Sequence, residues 1–298
     1  MKRILIVGSG DVARRAIPWL ARRFRVYALT RRPEAVAELR ALGARPLVGD
    51  LDDPASLRRL AAIADGVLHF APPPAGDGGR SDTRTRRLLA ALARRASLPQ
   101  RLVYISTTGV YGDREGGCVD EVSAPRPQSA RALRRIDAEH RVRALTRRAV
   151  RVAVLRAPGI YAADRLPVAR LQRGDPILRA DEDVHTNHIH AEDLARIACL
   201  ALFRARPGRV YNAVDDTRMA MGDYFEFAAD ALGLPRPPRV SRAEAQARVS
   251  PMAWSFMAES RRLDNARLKR ELRVRLRYPT VREGYRAALA ERSAAMGD

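Results

Sequence analysis

Gly8-Ser9-Gly10-Asp11-Val12-Ala13 follows a short apolar run, Ile4–Val7, and opens a helical pattern that reaches Phe24. Glycines at this spacing permit a tight turn and the close approach of a diphosphate, whose charge meets the free N–H groups at a helix start. Ala13 is small enough for that helix to lie against the strand. A G-x-G-x-x-A pattern carries little weight alone. Between a strand and a helix that begin a βαβ unit it marks a dinucleotide site, with Gly8, Ser9, Gly10, Asp11 and Val12 as its expected contacts.

The end of the second strand selects the cofactor. A fold that prefers NAD carries an acid about 20 residues past the glycines to hold the ribose 2′-OH. This chain instead has Thr30-Arg31-Arg32. Arginines there match a 2′-phosphate, and one charge-assisted hydrogen bond is worth about 1.5–3 kcal/mol. That favours NADPH over NADH by about tenfold or more. In an Arg-rich chain the same pair also reads as one more solvated doublet. Asp50, ending the third strand in LVGDLDD, is placed to accept from an adenine amine, with Leu51 beside it.

The elements that must hold these residues alternate. Candidate strands are Ile4–Val7, Val26–Leu29, Pro46–Val48, Gly66–Phe70, Leu102–Ser106 and Val152–Arg156, and helical patterns Val12–Phe24, Pro33–Leu42 and Thr83–Arg95 lie between them. Such alternation predicts an α/β fold, a Rossmann-type doubly wound parallel sheet with helices on both faces. Asp53-Pro54 reads as a helix start, with Pro where its missing N–H does no harm. Regularity breaks at Gly159 and returns with a helix near Glu192–Phe203 and a strand near Arg209–Asn212. GLPRPPRV at 233–240 reads as a loop, and Thr280-Val-Arg-Glu283 as a capping box for the last helix. With no repeat or linker, the expected division is interleaved. Residues 1–157 and 186–214 form the dinucleotide domain, and 158–185 and 215–298 a smaller region capping the substrate.

Composition bounds the partners. The chain has 298 residues and 46% apolar content, with 55 Lys and Arg against 34 acids for a net charge of +21. Lys2 and Lys269 are its only lysines. A basic surface attracts anions, including nucleotides and nucleic acid. Yet the arginines are scattered as pairs such as Arg14-Arg15, Arg22-Arg23, Arg86-Arg87, Arg94-Arg95 and Arg147-Arg148, without a compact basic tail or interleaved aromatics. A solvated surface is favoured over a nucleic-acid platform. No apolar run approaches the ~18 residues of a membrane span. Cys118 and Cys199 have no metal-like spacing and read as idle or buried thiols in a reducing cytoplasm.

Several further stretches, taken in order, resemble the extended short-chain dehydrogenase/reductase family, the NAD(P)-dependent epimerases and dehydratases of sugar nucleotides. They are VLHFAPPP at 67–74, ISTTGVYGD at 105–113, LRAPGIY at 155–161, NHIHAEDLARIA at 187–198, RVYNAVDD at 209–216 and RRLDNARLKRELRVRLRYPTVREGYRAAL at 261–289. The resemblance implies a small-molecule substrate such as a nucleotide sugar, and pairing of copies through two helices of the sheet domain. It adds Ala71, Pro72, Ser106, Pro158 and Ile160 to the expected cofactor contacts, the last two where the chain passes the nicotinamide. Thr107 falls at the catalytic Ser/Thr, whose hydroxyl bonds a substrate oxygen. Asp193 is expected to cap or anchor a helix, and His188 and His190 to be structural rather than metal ligands.

The departures from the family matter as much. Its Tyr-x-x-x-Lys belongs in the helix after Pro125–Pro127, with an acid one turn beyond the Lys. Setting Glu139 at the acid places Arg135 at the Lys and Arg131 at the Tyr. No Tyr or Lys occurs anywhere from 112 to 160, so no slip of register restores the motif. Arg131 cannot relay a proton, because a guanidinium stays protonated across the working pH range. It can stabilise negative charge. Arg135 can still hold a nicotinamide ribose, and Asp113, His188 or Tyr161 remain as proton donors, with Tyr111 packed behind the strand. Two readings stand side by side: an NADP(H)-dependent oxidoreductase of epimerase/dehydratase type with rebuilt acid–base chemistry, or a non-catalytic NADP(H)-binding sensor.

Overall fold

In the computed structural model, which describes residues 1–76, 79–94 and 98–296, the six expected strands form. They are β1 Arg3–Val7, β2 Arg25–Thr30, β3 Arg45–Val48, β4 Gly66–His69, β5 Arg101–Thr107 and β6 Arg151–Ala157, joined by β7 Arg209–Asn212. All pair in parallel in the order β7-β6-β5-β4-β1-β2-β3. The order reverses at β1, and a crevice opens there at the carboxyl ends of β1 and β4.

Period-two alternation along fully buried strands explains the layers. Ile4 and Ile6 face one side, with Leu68, Val103 and Ile105, under helices α1 Asp11–Ala21 and α5 Ala191–Arg204. Leu5 and Val7 face the other, with Val67, Leu102 and Tyr104, under α3 Thr83–Leu92 and α4 Ala130–Ala144. The short α2, Val36–Ala41, comes after a 3-10 turn at Pro33–Ala35, so the pattern read as one helix over Pro33–Leu42 is split by its proline start. The helix from Thr83 ends at Leu92, and the Arg95 end of its pattern lies outside the described residues. Asp53 does start a turn, its Oδ1 accepting from Ala55 N at 2.9 Å, but that turn leads into the 3-10 segment Ser56–Leu60 instead of an α-helix.

A smaller C-terminal region lies over the sheet's carboxyl edge. Helix α6, Met221–Leu232, and α7, Val281–Met296, share a cluster with Tyr161, Leu171 and Ile177, and Leu268 and Leu272 join the α1/α5 face of the sheet. The stretch read as a loop ends in a two-residue strand, Arg239–Val240, on Ile177–Leu178. Glu283 reaches back to Thr280 N at 3.0 Å, as a capping box requires. Among the described residues no helix is long and apolar enough to cross a membrane.

Beneath β5 and β6 lies a buried ion pair. Glu139 on α4 takes Nη2 of Arg156 at 2.7 Å and Nε at 3.1 Å, and the Ser106 hydroxyl donates to it at 2.5 Å. Both charged side chains are nearly sealed, Arg156 with 4% and Glu139 with 2% exposed. Removing one partner strands the other charge in a medium that cannot solvate it. Glu139→Ala is therefore expected to lower stability by about 3–5 kcal/mol, read as a shift of the urea midpoint.

Candidate functional site

The crevice at β1 and β4 is a cleft of about 440 Å³. Gly8 enters it with φ +92, and a Cβ there would stand 2.5 Å from Ala71 N, so the turn after β1 and the turn after β4 touch only because residue 8 is glycine. Gly10 forms the N-terminal cap of α1, and the space over its Cα is open. The Ser9 hydroxyl donates to Leu29 O at 2.7 Å, tying the turn to the end of β2.

Gly8, Ser9, Gly10, Asp11, Val12, Arg31, Arg32, Asp50, Leu51, Ala71, Pro72 and Ile160 all line this cleft. Arg31 and Arg32 are exposed at its rim. Asp50 is partly engaged, one carboxylate oxygen accepting from Asp52 N at 2.9 Å. Two expected contacts lie elsewhere. Alternation along β5 turns the Ser106 side chain toward α4, where Glu139 holds it buried. Pro158 lines a second cavity.

Arg84 and Arg165 also line the cleft, and sequence reasoning passed over both. Arg84 grips Asp52, with Nε at 3.0 and 3.1 Å and Nη2 at 2.5 Å; this hydrogen bonding holds the Asp52 carboxyl below its usual pKa. Neither arginine sits in a motif, and only the fold brings residues 84 and 165 beside residue 8.

The second cavity, about 450 Å³, lies beyond Ile160 and brings together Thr107, Arg131, Arg135 and Pro158. Thr107 Oγ1 accepts from Gly109 N at 3.2 Å, capping the 3-10 turn that ends β5. Arg135 Nη1 donates to Ile105 O at 2.7 Å and to the Tyr104 hydroxyl at 3.1 Å, which fixes it at the same strand end. Burial pushes the Tyr104 phenol up to about 12, so it is a neutral prop. Arg131 lies over the Phe256 ring, 4.5 Å from its centroid. Arg170 and Arg261 add two more guanidiniums, with Glu259 accepting from Arg261 at 2.7 Å. Tyr224, Phe225 and Phe256 supply apolar walls.

The three candidate proton donors part company. Asp113 lines neither of these two cavities; its Oδ1 accepts from Ser260 N at 2.7 Å and Glu115 N at 3.1 Å, stapling the C-terminal segment to the loop after β5. His188 and Tyr161 do line the second cavity. Burial pushes the His188 imidazole down to about 3 and raises the Tyr161 phenol, and the Tyr161 hydroxyl donates to Thr280 O at 3.3 Å. At neutral pH both are uncharged.

The remaining landmarks are structural. Tyr111 is fully buried and donates to Asn212 Oδ1 at 2.8 Å. His190 caps α5, its Nδ1 accepting from Glu192 N at 3.2 Å. Asp193 accepts from Arg277 N and Tyr278 N at 2.8 Å each, anchoring the chain ahead of α7.

A family model described as NAD(P)H-binding matches residues 8–204, and the chain belongs to that family. It is 33% identical to a conserved protein of unknown function from Silicibacter pomeroyi DSS, with a TM-score of 0.82 over 98% of this chain and 99% of that one. The dTDP-glucose 4,6-dehydratase of Streptomyces venezuelae, solved with NAD bound, shares the fold with a TM-score of 0.76 at 22% identity, over 98% of this chain and 97% of that one. The NAD(P)H-binding Rossmann fold read from the motifs is thus borne out, and the likeness to epimerases and dehydratases holds at the level of the fold. In sequence, the chain is 32% identical over 119 residues to a 4-hydroxy-2-methyl-3-oxo-4-farnesyl-3,4-dihydroquinoline-1-oxide ketoreductase of Stigmatella aurantiaca, matching 38% of this chain. The match spans 35% of that relative's length.

Behind the second cavity, Asp215 has a buried carboxylate oxygen without a partner among the described residues, and burial pushes its pKa up to about 7. Its folded pKa lies above the unfolded value, so the native protein holds the extra proton between about pH 4 and 7 and stability falls as pH rises through that window. Asp215→Asn cannot ionise. Relative to the native chain it is expected to gain stability from pH 5 to pH 8 in urea unfolding, whereas parallel pH profiles would rule out a buried, reluctant carboxyl.

Proposed function

We propose that the protein is an NADP(H)-dependent oxidoreductase of epimerase/dehydratase type, acting on a small substrate that carries negative charge. The observation that carries the reading is the glycine turn at a strand-order reversal, with Arg31 and Arg32 at the rim of the same cleft. The residues fit the cofactor: the open space over Gly10 at the start of α1 suits a diphosphate, the two rim guanidiniums a 2′-phosphate, and Asp50 an adenine amine. When bound, the nicotinamide supplies or accepts the hydride. The cavity beyond Ile160 holds the substrate, where the Thr107 hydroxyl hydrogen-bonds the reacting oxygen.

Arg131 and Arg135 take the places of a proton-relaying pair but cannot relay, since both stay charged. Arg135 positions the cofactor ribose beside the end of β5, and Arg131 stabilises charge on the substrate. With five arginines and one glutamate along its wall, the cavity selects an anion. The proton at the reacting oxygen then passes through Thr107, the neutral Tyr161 phenol or solvent. A second reading, a cofactor-binding regulator without turnover, draws on the lack of any Tyr or Lys from 112 to 160.

Nicotinamide fluorescence titration tests the cofactor assignment. The native protein is expected to bind NADPH about tenfold or more tightly than NADH, and Arg31→Ala/Arg32→Ala to lose that preference. Equal affinity for both nucleotides in the native protein would remove the 2′-phosphate role. Firm NADPH binding without oxidation across a panel of anionic carbonyl compounds would favour the regulator.

A further inference from the structure

Among the residues lining the two cavities, only Ile160 and Arg165 belong to both. Arg165 ends a short turn, Ala163–Arg165, just past the strand Gly159–Tyr161. Its Nη1 lies 3.5 Å from Asp11 Oδ2, and the neighbouring Asp164 lies 3.4 Å from Arg15. Arg15 in turn holds the other Asp11 oxygen at 2.8 Å. Two acids and two arginines thus join the first turns of α1 to the segment that divides the cavities.

Of this quartet, Asp11 and Arg165 line the cleft where a diphosphate would sit, at the start of α1. An acid in the first turn of a helix is favourable by itself, because it meets the positive end of the dipole. Beside an incoming diphosphate, the Asp11 carboxylate is a like charge. The structure sets a counter-charge next to it. The Arg165 side chain is 41% exposed and its guanidinium is loosely engaged, so most of its five donors are free among the described residues.

We infer that Arg165 is a cofactor-binding residue that contacts the dinucleotide diphosphate from the side facing α1, with Asp11 holding it at the cleft. The inference rests on the dinucleotide reading of the cleft. It assigns the diphosphate a side-chain partner in addition to the glycine turn, on a residue that also lines the second cavity. Arg31 and Arg32 stand at the other end of the dinucleotide, so their contacts and that of Arg165 separate by ligand chemistry.

The test compares NADPH with adenosine 2′-monophosphate, which keeps the 2′-phosphate and lacks the diphosphate, against the native chain, Arg165→Ala and Arg165→Lys. Arg165→Ala is expected to weaken NADPH by about tenfold, chiefly through faster release in stopped-flow displacement, and to leave the monophosphate within about twofold. Arg165→Lys keeps the charge but not the fork, and should recover part of the loss. Unchanged NADPH affinity in Arg165→Ala overturns the inference. Equal weakening of both ligands also overturns it, since a general loss of positive field or of folding would produce that result. A native protein that binds no NADPH fails differently, because it removes the cofactor reading itself.

Discussion

The contact between Gly8 and Ala71 is a hard-sphere constraint on which the site is built. Two parallel strands leave their sheet side by side, and the turns at their ends must pass within van der Waals distance. A Cβ at residue 8 would sit 2.5 Å from a backbone nitrogen, and the local φ of +92 disfavours any side chain. With glycine in place, the start of α1 faces the mouth of a cleft between β1 and β4. Without it, the strand order would still reverse there, but α1 could not present its free N–H groups so close to the second turn.

The second organising feature is the division of labour along α4. Glu139 faces inward and is consumed by Arg156 and Ser106, so it braces the helix against β5 and β6. One turn earlier Arg135 reaches the end of β5 through Ile105 O and Tyr104, and one turn earlier again Arg131 comes out over the second cavity against Phe256. The three positions share a helix face, yet their environments run from sealed to open. A guanidinium suits the open end because it stays charged and can lie flat on an aromatic ring. A guanidinium cannot relay a proton as a Tyr would, and Arg135 is fixed at the end of β5 by Ile105 O and Tyr104.

Much of this was legible in the residue order. Strands buried on both faces read as unbroken apolar runs, and the glycine turn between the first strand and its helix has a local cause, so twelve of the expected cofactor contacts meet in one cleft. Ser106 was misplaced because strand alternation, which decides whether it faces α4 or the cleft, depends on the register of β5 against its neighbours. Asp113 looked like a proton donor because its carboxylate lies just past a motif, but a residue 147 positions away claims it. Arg84 and Arg165 carried no local signal at all.

What the sequence by itself determined is the set of short-range features: element type, the turn that only glycine permits, the missing Tyr and Lys, and the excess of arginine. These arise from periodicity, backbone sterics and side-chain chemistry, which act within a few residues. Tertiary structure alone decided which arginines line a cavity and which are solvated, that Glu139 is a brace, and that Arg165 stands between two cavities. Burial and charge pairing join residues far apart in the chain, and the same side chain is a solvated surface group or a ligand contact according to what the fold sets against it.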